Sequence, residues 1–138
     1  WDIQTGQIRY QWELSNSIGS VALSPDGQYA FGAAQLGDAK IWSTRDGREV
    51  TTLDTGALQL RKMSISQAVF SADSRLLLVG GVNSRVSLLQ VSTGTVLKEW
   101  DVFTPTGRPA GASVLSLAFG KGDRYFALGS NGYLNVLE

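Results

Sequence analysis

The chain of 138 residues is 43% hydrophobic and 17% charged, a balance that favours a packed core and excludes intrinsic disorder. Twelve basic and twelve acidic residues cancel to zero formal net charge, and the basic residues are scattered. This excludes the basic stripe that nucleic acid requires and leaves little to attract an acidic membrane surface. No apolar run approaches the roughly 18 residues of a membrane-spanning helix.

The opening residues 1–14 fit the end of a β-strand, a turn and a further strand, and a complete unit of four short strands follows. Sixteen glycines and short apolar runs are typical of many strands joined by tight turns. After the first strand of the complete unit, Pro25 presets φ, Asp26 caps the backbone and Gly27 accepts a positive φ. The strands predicted for this unit are Ile18–Leu23, Tyr29–Ala34, Ala39–Trp42 and Arg48–Leu53.

Two further units follow the same order. The second unit is predicted to hold the strands Ile65–Phe70, Leu76–Gly80, Arg85–Leu89 and Val96–Trp100. The third unit is predicted to hold Val114–Phe119, Tyr125–Gly129 and Tyr133–Leu137. No helix is predicted, because no longer segment carries apolar residues at helical spacing without a break by Gly or Pro.

The units are copies of one another. Residues 18–29, 65–76 and 114–125 match at offsets of 47 and 49 residues, with Tyr125 aligned to Tyr29 and Leu76. A period of this length indicates a repeat architecture in which each unit needs neighbours to bury its faces. Residues 1–138 are therefore interpreted as one segment, with units of approximately 1–42, 43–89 and 90–138. Strands that are apolar on both faces predict sheets packed between other sheets.

These motifs resemble the WD-repeat family of β-propellers. Trp1-Asp2 followed by Thr5-Gly6 matches the end of the family motif, and the S-P-D-G turn at Ser24–Gly27 matches its first hairpin. The resemblance implies an all-β propeller of four-stranded blades, three per chain. The chain departs from the family in having no His, in carrying Leu36, Asn83 and Asn131 where the family often has Asp, and in carrying Leu89 and Leu137 where it has Trp.

Three blades leave two sheet faces open, and propellers usually need four to eight blades to close. If each face hides roughly 500 Å² of apolar surface, exposing both costs on the order of 25 kcal/mol, more than the net stability of a typical domain. We therefore expect a homo-oligomer, either a dimer with six blades or a trimer with nine, or a place in a longer propeller. In a ring, residues 7–14 would pair with residues 133–137 of the neighbouring copy.

The residues that most catalytic and metal sites use are missing. Without Cys or His there is no Ser-His-Asp, Cys-His or typical zinc site, so no catalytic residue, metal or cofactor is predicted. Asp26 and Asp73 hold equivalent turn positions and are interpreted as turn caps. A hydrolase with carboxylates from different blades is the weaker alternative.

The aromatic residues are interpreted mainly as packing residues. Trp12 and Trp100 lie in outer strands, where partly exposed packing is favoured over sugar stacking, so a carbohydrate-binding propeller remains an alternative. The remaining strand aromatics are predicted to lie in the core: Phe31, Trp42, Phe70, Phe119 and Tyr125.

Two connections are longer than a turn needs, residues 54–64 and 101–113. Long loops on a rigid scaffold often carry function, and Arg and aromatic side chains dominate binding hot spots. The resemblance implies that these loops gather on one face of the propeller. Protein or peptide binding through Arg61, Lys62, Phe103 and Arg108 is therefore the favoured function, and it is non-catalytic.

Overall fold

A computed structural model describes residues 2–35, 38–53, 64–102, 106 and 111–138. In these residues the chain forms strands and no helix, as predicted, so none of them belongs to a helix that could cross a membrane. The strands are β1 Ile18–Leu23, β2 Tyr29–Ala34, β3 Ala39–Ser43, β4 Glu49–Thr52, β5 Ile65–Phe70, β6 Leu76–Gly81, β7 Arg85–Gln90, β8 Val96–Asp101, β9 Val114–Phe119, β10 Tyr125–Gly129 and β11 Leu134–Leu137.

Consecutive strands pair antiparallel and form three sheets, which we call the first, middle and last blades. The first blade is β1–β4, the middle blade is β5–β8 and the last blade is β9–β11. Every described strand lies within about one residue of its predicted bounds. The four-stranded repeat predicted from the sequence is thus confirmed for the first two blades, and the last blade holds three strands.

The turns after β3 and β7 share one structure, and residues 2–6 form a third copy of it. Its glycine has a positive φ and its N–H donates to the carbonyl four residues earlier. A glycine is needed because side chains disfavour this backbone region. The three donor–acceptor pairs are Gly6 and Asp2 at 2.7 Å, Gly47 and Ser43 at 2.9 Å, and Gly94 and Gln90 at 2.8 Å.

The middle blade is buried on both sides, which explains its uninterrupted apolar strands. In β6, Leu77 and Val79 belong to the core shared with the first blade, whereas Leu78 belongs to the core shared with the last blade. All three side chains are fully buried. Successive side chains of a strand point to opposite faces, so a run such as Leu76–Gly80 supplies two cores at once.

The two end blades each show one apolar face to solvent. On the first blade Val21 and Leu23 are 68% and 72% exposed, and on the last blade Leu134 and Val136 are 64% and 55% exposed. Of the equivalent positions in the middle blade, Phe70, Val86 and Leu88 are buried and Ala68 is partly buried. The open faces expected for a three-blade segment are therefore present.

Residues 7–14 form no strand, so the fourth strand expected there is wrong for the described residues. The turn before it is present, because Gly6 N–H donates to Asp2 O. A strand is defined by hydrogen bonds to a neighbour, and among the described residues no strand lies beside this segment. The segment instead packs on the first blade through Trp12, which stacks on Trp42 with ring centres 5.3 Å apart.

The alignment of Tyr125 with Tyr29 is wrong by one residue. In the first blade Leu23 pairs with Ala30, whereas in the last blade Phe119 pairs with Tyr125. Tyr125 therefore occupies the position of Ala30, and its side chain packs against the middle blade. The reason is the closure of the hairpin, because five residues lie between the paired Phe119 and Tyr125, whereas six lie between the paired Leu23 and Ala30.

Candidate functional site

The connections into the first strands and the turns between second and third strands lie at one end of the structure, which we call the loop-bearing end. In each blade the residue after the second strand donates its N–H to the residue before the first strand. The pairs are Gln35 and Ser17 at 2.7 Å, Val82 and Ser64 at 3.2 Å, and Ser130 and Ser113 at 2.8 Å. Each connection therefore re-enters its blade beside a second-to-third turn.

Both long connections start from buried residues. Leu53 and Val102 follow β4 and β8, and each side chain is only 1% exposed. Leu53 N–H donates to Ala39 O at 2.9 Å, and Val102 N–H donates to Ser84 O at 2.7 Å. The positions from which the loops leave the blades are thus fixed by core packing and backbone hydrogen bonds.

The second long connection is also held where it returns. The Ser84 hydroxyl donates to Ala112 O at 2.9 Å and accepts from Ala112 N–H at 2.8 Å. Ser84 is 2% exposed and has φ of 66°, a region that side chains rarely adopt. Because Ser84 O also accepts from Val102, this one residue joins both ends of the connection. The sequence predicts only a turn at Ser84.

Asp38 is a second residue at this end that sequence reasoning left as part of a turn. Its Oδ1 accepts from Ser15 N–H at 3.1 Å and from the Ser15 hydroxyl. These bonds lower the pKa of Asp38, with the Ser15 hydroxyl as the largest cause. Asp38 therefore anchors the connection that enters the first blade.

The four residues predicted to bind a partner lie outside the described residues. Arg61 and Lys62 belong to the first long connection, and Phe103 and Arg108 belong to the second. The described stems of the two connections lie at the loop-bearing end, and the four residues stay a prediction.

The opposite end carries Asp26 and Asp73, and the structure confirms both as turn caps. Each carboxylate accepts from a serine hydroxyl two residues earlier at 2.6 Å, from Ser24 and from Ser71 respectively. Each also accepts from a backbone N–H two residues later. At the loop-bearing end, Asn83 and Asn131 also cap their turns, because each side-chain Oδ1 accepts from the backbone N–H two residues later.

A polar groove of about 420 Å³ between these two turns is lined by Asp26 and Asp73. The serine hydroxyls lower the pKa of both carboxyls, so both stay ionised near neutral pH. A glycosidase needs one carboxyl with a raised pKa to act as general acid. This groove therefore offers no support to the hydrolase alternative.

The two tryptophans that were predicted to lie in outer strands, Trp12 and Trp100, both contact other aromatic side chains of the protein. Trp12 stacks on Trp42, and Trp100 packs on Tyr125 with ring centres 5.0 Å apart. Each indole N–H already has a carbonyl acceptor. Packing, as predicted, accounts for these rings better than sugar stacking does.

The predicted core aromatics divide by exposure. Phe119 is only partly buried; it packs against the core shared by the middle and last blades and meets Tyr125 edge-on at 5.6 Å. The other predicted core residues are buried as expected, namely Phe31, Trp42, Phe70 and Tyr125.

Among the described residues, no three acidic side chains cluster as a metal site would require.

Comparison with known proteins agrees with this architecture. No protein-family profile matches the chain. An LST8 homologue from Drosophila pseudoobscura pseudoobscura is 36% identical over 83 residues, which cover 58% of this chain and 26% of the relative. Subunit I of eukaryotic translation initiation factor 3 from Lodderomyces elongisporus is 26% identical over 149 residues, which cover 99% of this chain and 43% of the relative. The chain thus spans less than half the length of these relatives.

A solved structure shows the same fold. The WD40 repeats of RRP9 superpose with a TM-score of 0.74 at 18% identity, covering 91% of this chain and 36% of that one. The repeated turns, the antiparallel blades and this superposition together show that the chain has the fold of a WD-repeat β-propeller segment.

Proposed function

We propose that the chain is a non-catalytic scaffold that binds a protein or peptide at its loop-bearing end. The observation that carries this proposal is the clamp at Ser84, which holds both ends of the connection between β8 and β9 in buried surroundings. A loop with fixed stems loses less conformational entropy on binding than a loop that is free at its base. One of the relatives is named as a subunit of a larger factor, which supports a role in assembly.

The contact residues of this proposal are Arg61, Lys62, Phe103 and Arg108. Arg and aromatic side chains are enriched at protein interfaces, and Arg61, Phe103 and Arg108 are of these types, whereas Lys62 adds positive charge beside Arg61. The two connections that carry them leave the blades after β4 and β8, so they would present one surface to a partner.

Affinity capture with the full 138-residue chain tests the proposal. The loop variant carries Arg61→Ala and Arg108→Ala, and the matched control carries Arg45→Ala and Arg75→Ala in turns at the opposite end. We expect the loop variant to lose the partners that the wild type and the control recover, with all three chains showing the same thermal unfolding. Equal recovery by the loop variant would disprove the proposed surface.

A further inference from the structure

The turn between β10 and β11 contains an asparagine followed directly by a glycine, Asn131 and Gly132. The other asparagines are Asn16, Asn83 and Asn135, and each of them precedes a residue with a side chain. The backbone nitrogen that follows an asparagine can attack the side-chain carbonyl carbon, and the attack is favoured because it is intramolecular. A following glycine has no side chain to hinder this attack, and its backbone rotates freely. The pair is therefore the most reactive asparagine site in the sequence.

The reaction at this pair is a hydrolysis in two steps. The Gly132 nitrogen loses its proton and bonds to Asn131 Cγ, and the bond from Cγ to Nδ2 breaks with release of ammonia, which leaves a cyclic succinimide. Water from the solvent then adds to either ring carbonyl and opens the ring. One opening gives aspartate, and the other gives isoaspartate, in which the main chain runs through the former side chain. An amide and a water thus become an acid and ammonia.

The turn holds the reacting groups at the surface. The Gly132 N–H donates to Gly129 O at 3.0 Å, and Asn131 Oδ1 accepts from the Tyr133 N–H at 3.3 Å. Asn131, Gly132 and Tyr133 are all exposed. Local opening costs little free energy where it breaks exposed hydrogen bonds and uncovers no core. The nitrogen and the side-chain carbonyl can therefore be released for reaction while the blade stays folded.

The middle blade carries the same turn with a different second residue. Asn83 Oδ1 accepts from the Arg85 N–H at 3.3 Å, as Asn131 accepts from Tyr133. Ser84, which follows Asn83, has a positive φ of 66°, and the glycine at the equivalent place has a φ of 83°. Asn83 is exposed although the last blade packs beside it, so this cap position faces solvent even where a further blade follows.

Ser84 protects Asn83 in two ways that a glycine cannot. Its side chain stands beside the nitrogen that would attack, and its hydroxyl is bound on both sides to Ala112, at 2.9 and 2.8 Å. Its carbonyl also accepts from the Val102 N–H at 2.7 Å. Opening this turn breaks buried hydrogen bonds, which is enough to slow a reaction by about tenfold or more. Gly132 has no hydroxyl with which to form such a clamp.

Two aspartates also precede glycines, but their ionisation protects them. Asp26 and Asp46 could cyclise in the same way only as neutral acids, because a carboxylate is a poor electrophile. The Ser24 hydroxyl lowers the pKa of Asp26, and the Ser43 hydroxyl lowers the pKa of Asp46. Both side chains therefore stay ionised near neutral pH, whereas an asparagine amide is neutral at every pH.

We propose that Asn131 is a site of spontaneous deamidation, and that its isoaspartate product loosens the return of the second long connection. The residue before it, Ser130, donates its N–H to Ser113 O at 2.8 Å, and Ser130 Oγ accepts from the Ser113 N–H at 3.1 Å. Ser113 ends the connection that leads into β9. Isoaspartate lengthens the main chain by one carbon directly after Ser130, so it disturbs this pair of bonds.

The aspartate product should have the opposite effect. It keeps the normal main chain and puts a negative charge on the group that accepts from the Tyr133 N–H, which strengthens this hydrogen bond. The two products therefore differ at the Ser113 amide although they have the same mass. This proposal concerns the chemistry of one turn and does not rest on the function proposed for the loop-bearing end.

Peptide mass spectrometry of the full 138-residue chain tests the site after incubation at mildly alkaline pH. We expect Asn131 to convert at least about tenfold faster than Asn83. Two variants exchange the second residues of the turns. Gly132→Ser should slow conversion at position 131 to the rate of Asn83, and Ser84→Gly should speed conversion at position 83. The positive φ of Ser84 shows that a serine fits this turn. Equal rates at the two asparagines of the wild type, or an unchanged rate at position 131 in Gly132→Ser, would overturn the proposal.

Hydrogen exchange at the Ser113 amide tests the consequence. The isoaspartate form, separated by chromatography from the aged wild-type chain, should exchange faster at this amide than the fresh chain does. Asn131→Asp is the matched control, because it carries the new charge on an unaltered main chain and should keep the protection of the fresh chain. Unchanged protection in the isoaspartate form, or an equal loss in Asn131→Asp, would contradict the proposed effect of the lengthened main chain.

Discussion

Val114, the first residue of β9, lies directly against the backbone of Gly80 in β6. A methyl group at position 80 would lie 2.6 Å from Val114 Cγ1 and 2.7 Å from Val114 Cβ. The valine cannot turn away, because its own Cβ is already too close and its χ1 is stiff. The glycine is therefore what allows the middle and last blades to approach each other.

Gly80→Ala should destabilise the protein by about 1–3 kcal/mol, the usual cost of overpacking a core. Urea unfolding followed by tryptophan fluorescence measures the change. Val114→Ala should also destabilise, because it leaves a cavity. The double variant should lose less stability than the sum of the two single variants, since Val114→Ala removes the Cγ1 contact at 2.6 Å and leaves only the Cβ contact at 2.7 Å. Additive losses would show that the contact between positions 80 and 114 is not the cause.

Ser84→Ala should destabilise the stem of the connection between β8 and β9. The variant leaves the buried N–H and carbonyl of Ala112 without the hydroxyl partner, which costs about 1–3 kcal/mol. Hydrogen exchange should show faster exchange at the Ala112 amide. Unchanged protection of this amide would contradict the role assigned to Ser84.

Ser84→Gly separates the hydrogen bonds from the backbone conformation. It removes the same hydroxyl but relieves the positive φ of 66°, so it should be more stable than Ser84→Ala by roughly 1 kcal/mol. Equal stability of the two variants would mean that the positive φ carries no strain.

The strands and turns of this fold could be predicted because their signals are local. Turn residues recur at fixed places, and the apolar run from Leu76 to Gly80 indicates a sheet covered on both sides. Residues 7–14 could not be predicted correctly, because alternating residues specify a strand only when a partner strand lies beside them. The position of Tyr125 was missed because turn length, rather than residue similarity, sets the register of β10.

The candidate site could be predicted only in outline. Loop length pointed to the two connections, and composition pointed to residues such as Arg61 and Phe103. Ser84 and Asp38 were missed because a serine or an aspartate in a turn usually caps its own backbone, and only the fold shows that these two bind a distant segment. A signal for Ser84 would be a turn position that needs a positive φ but carries no glycine.

Acid should weaken the fold through the turn aspartates. The Ser43 hydroxyl and the Arg48 guanidinium lower the pKa of Asp46 from 3.8 to about 2. The pKa in the folded chain is below the unfolded value, so the contribution of Asp46 is fully present above pH 3.8 and is lost as the pH approaches 2. The Ser24 and Ser71 hydroxyls lower the pKa of Asp26 and Asp73, which adds to the loss in the same direction.

The urea midpoint should therefore stay level near neutral pH and decline below pH 3.8. Asp46→Asn should lower the midpoint near neutral pH and make its acid decline shallower, because this side chain no longer gains a proton on unfolding. The chain has no histidine, so no imidazole titration overlies this part of the curve. An acid decline as steep in Asp46→Asn as in the wild type would show that Asp46 has the same pKa in the folded and unfolded chains.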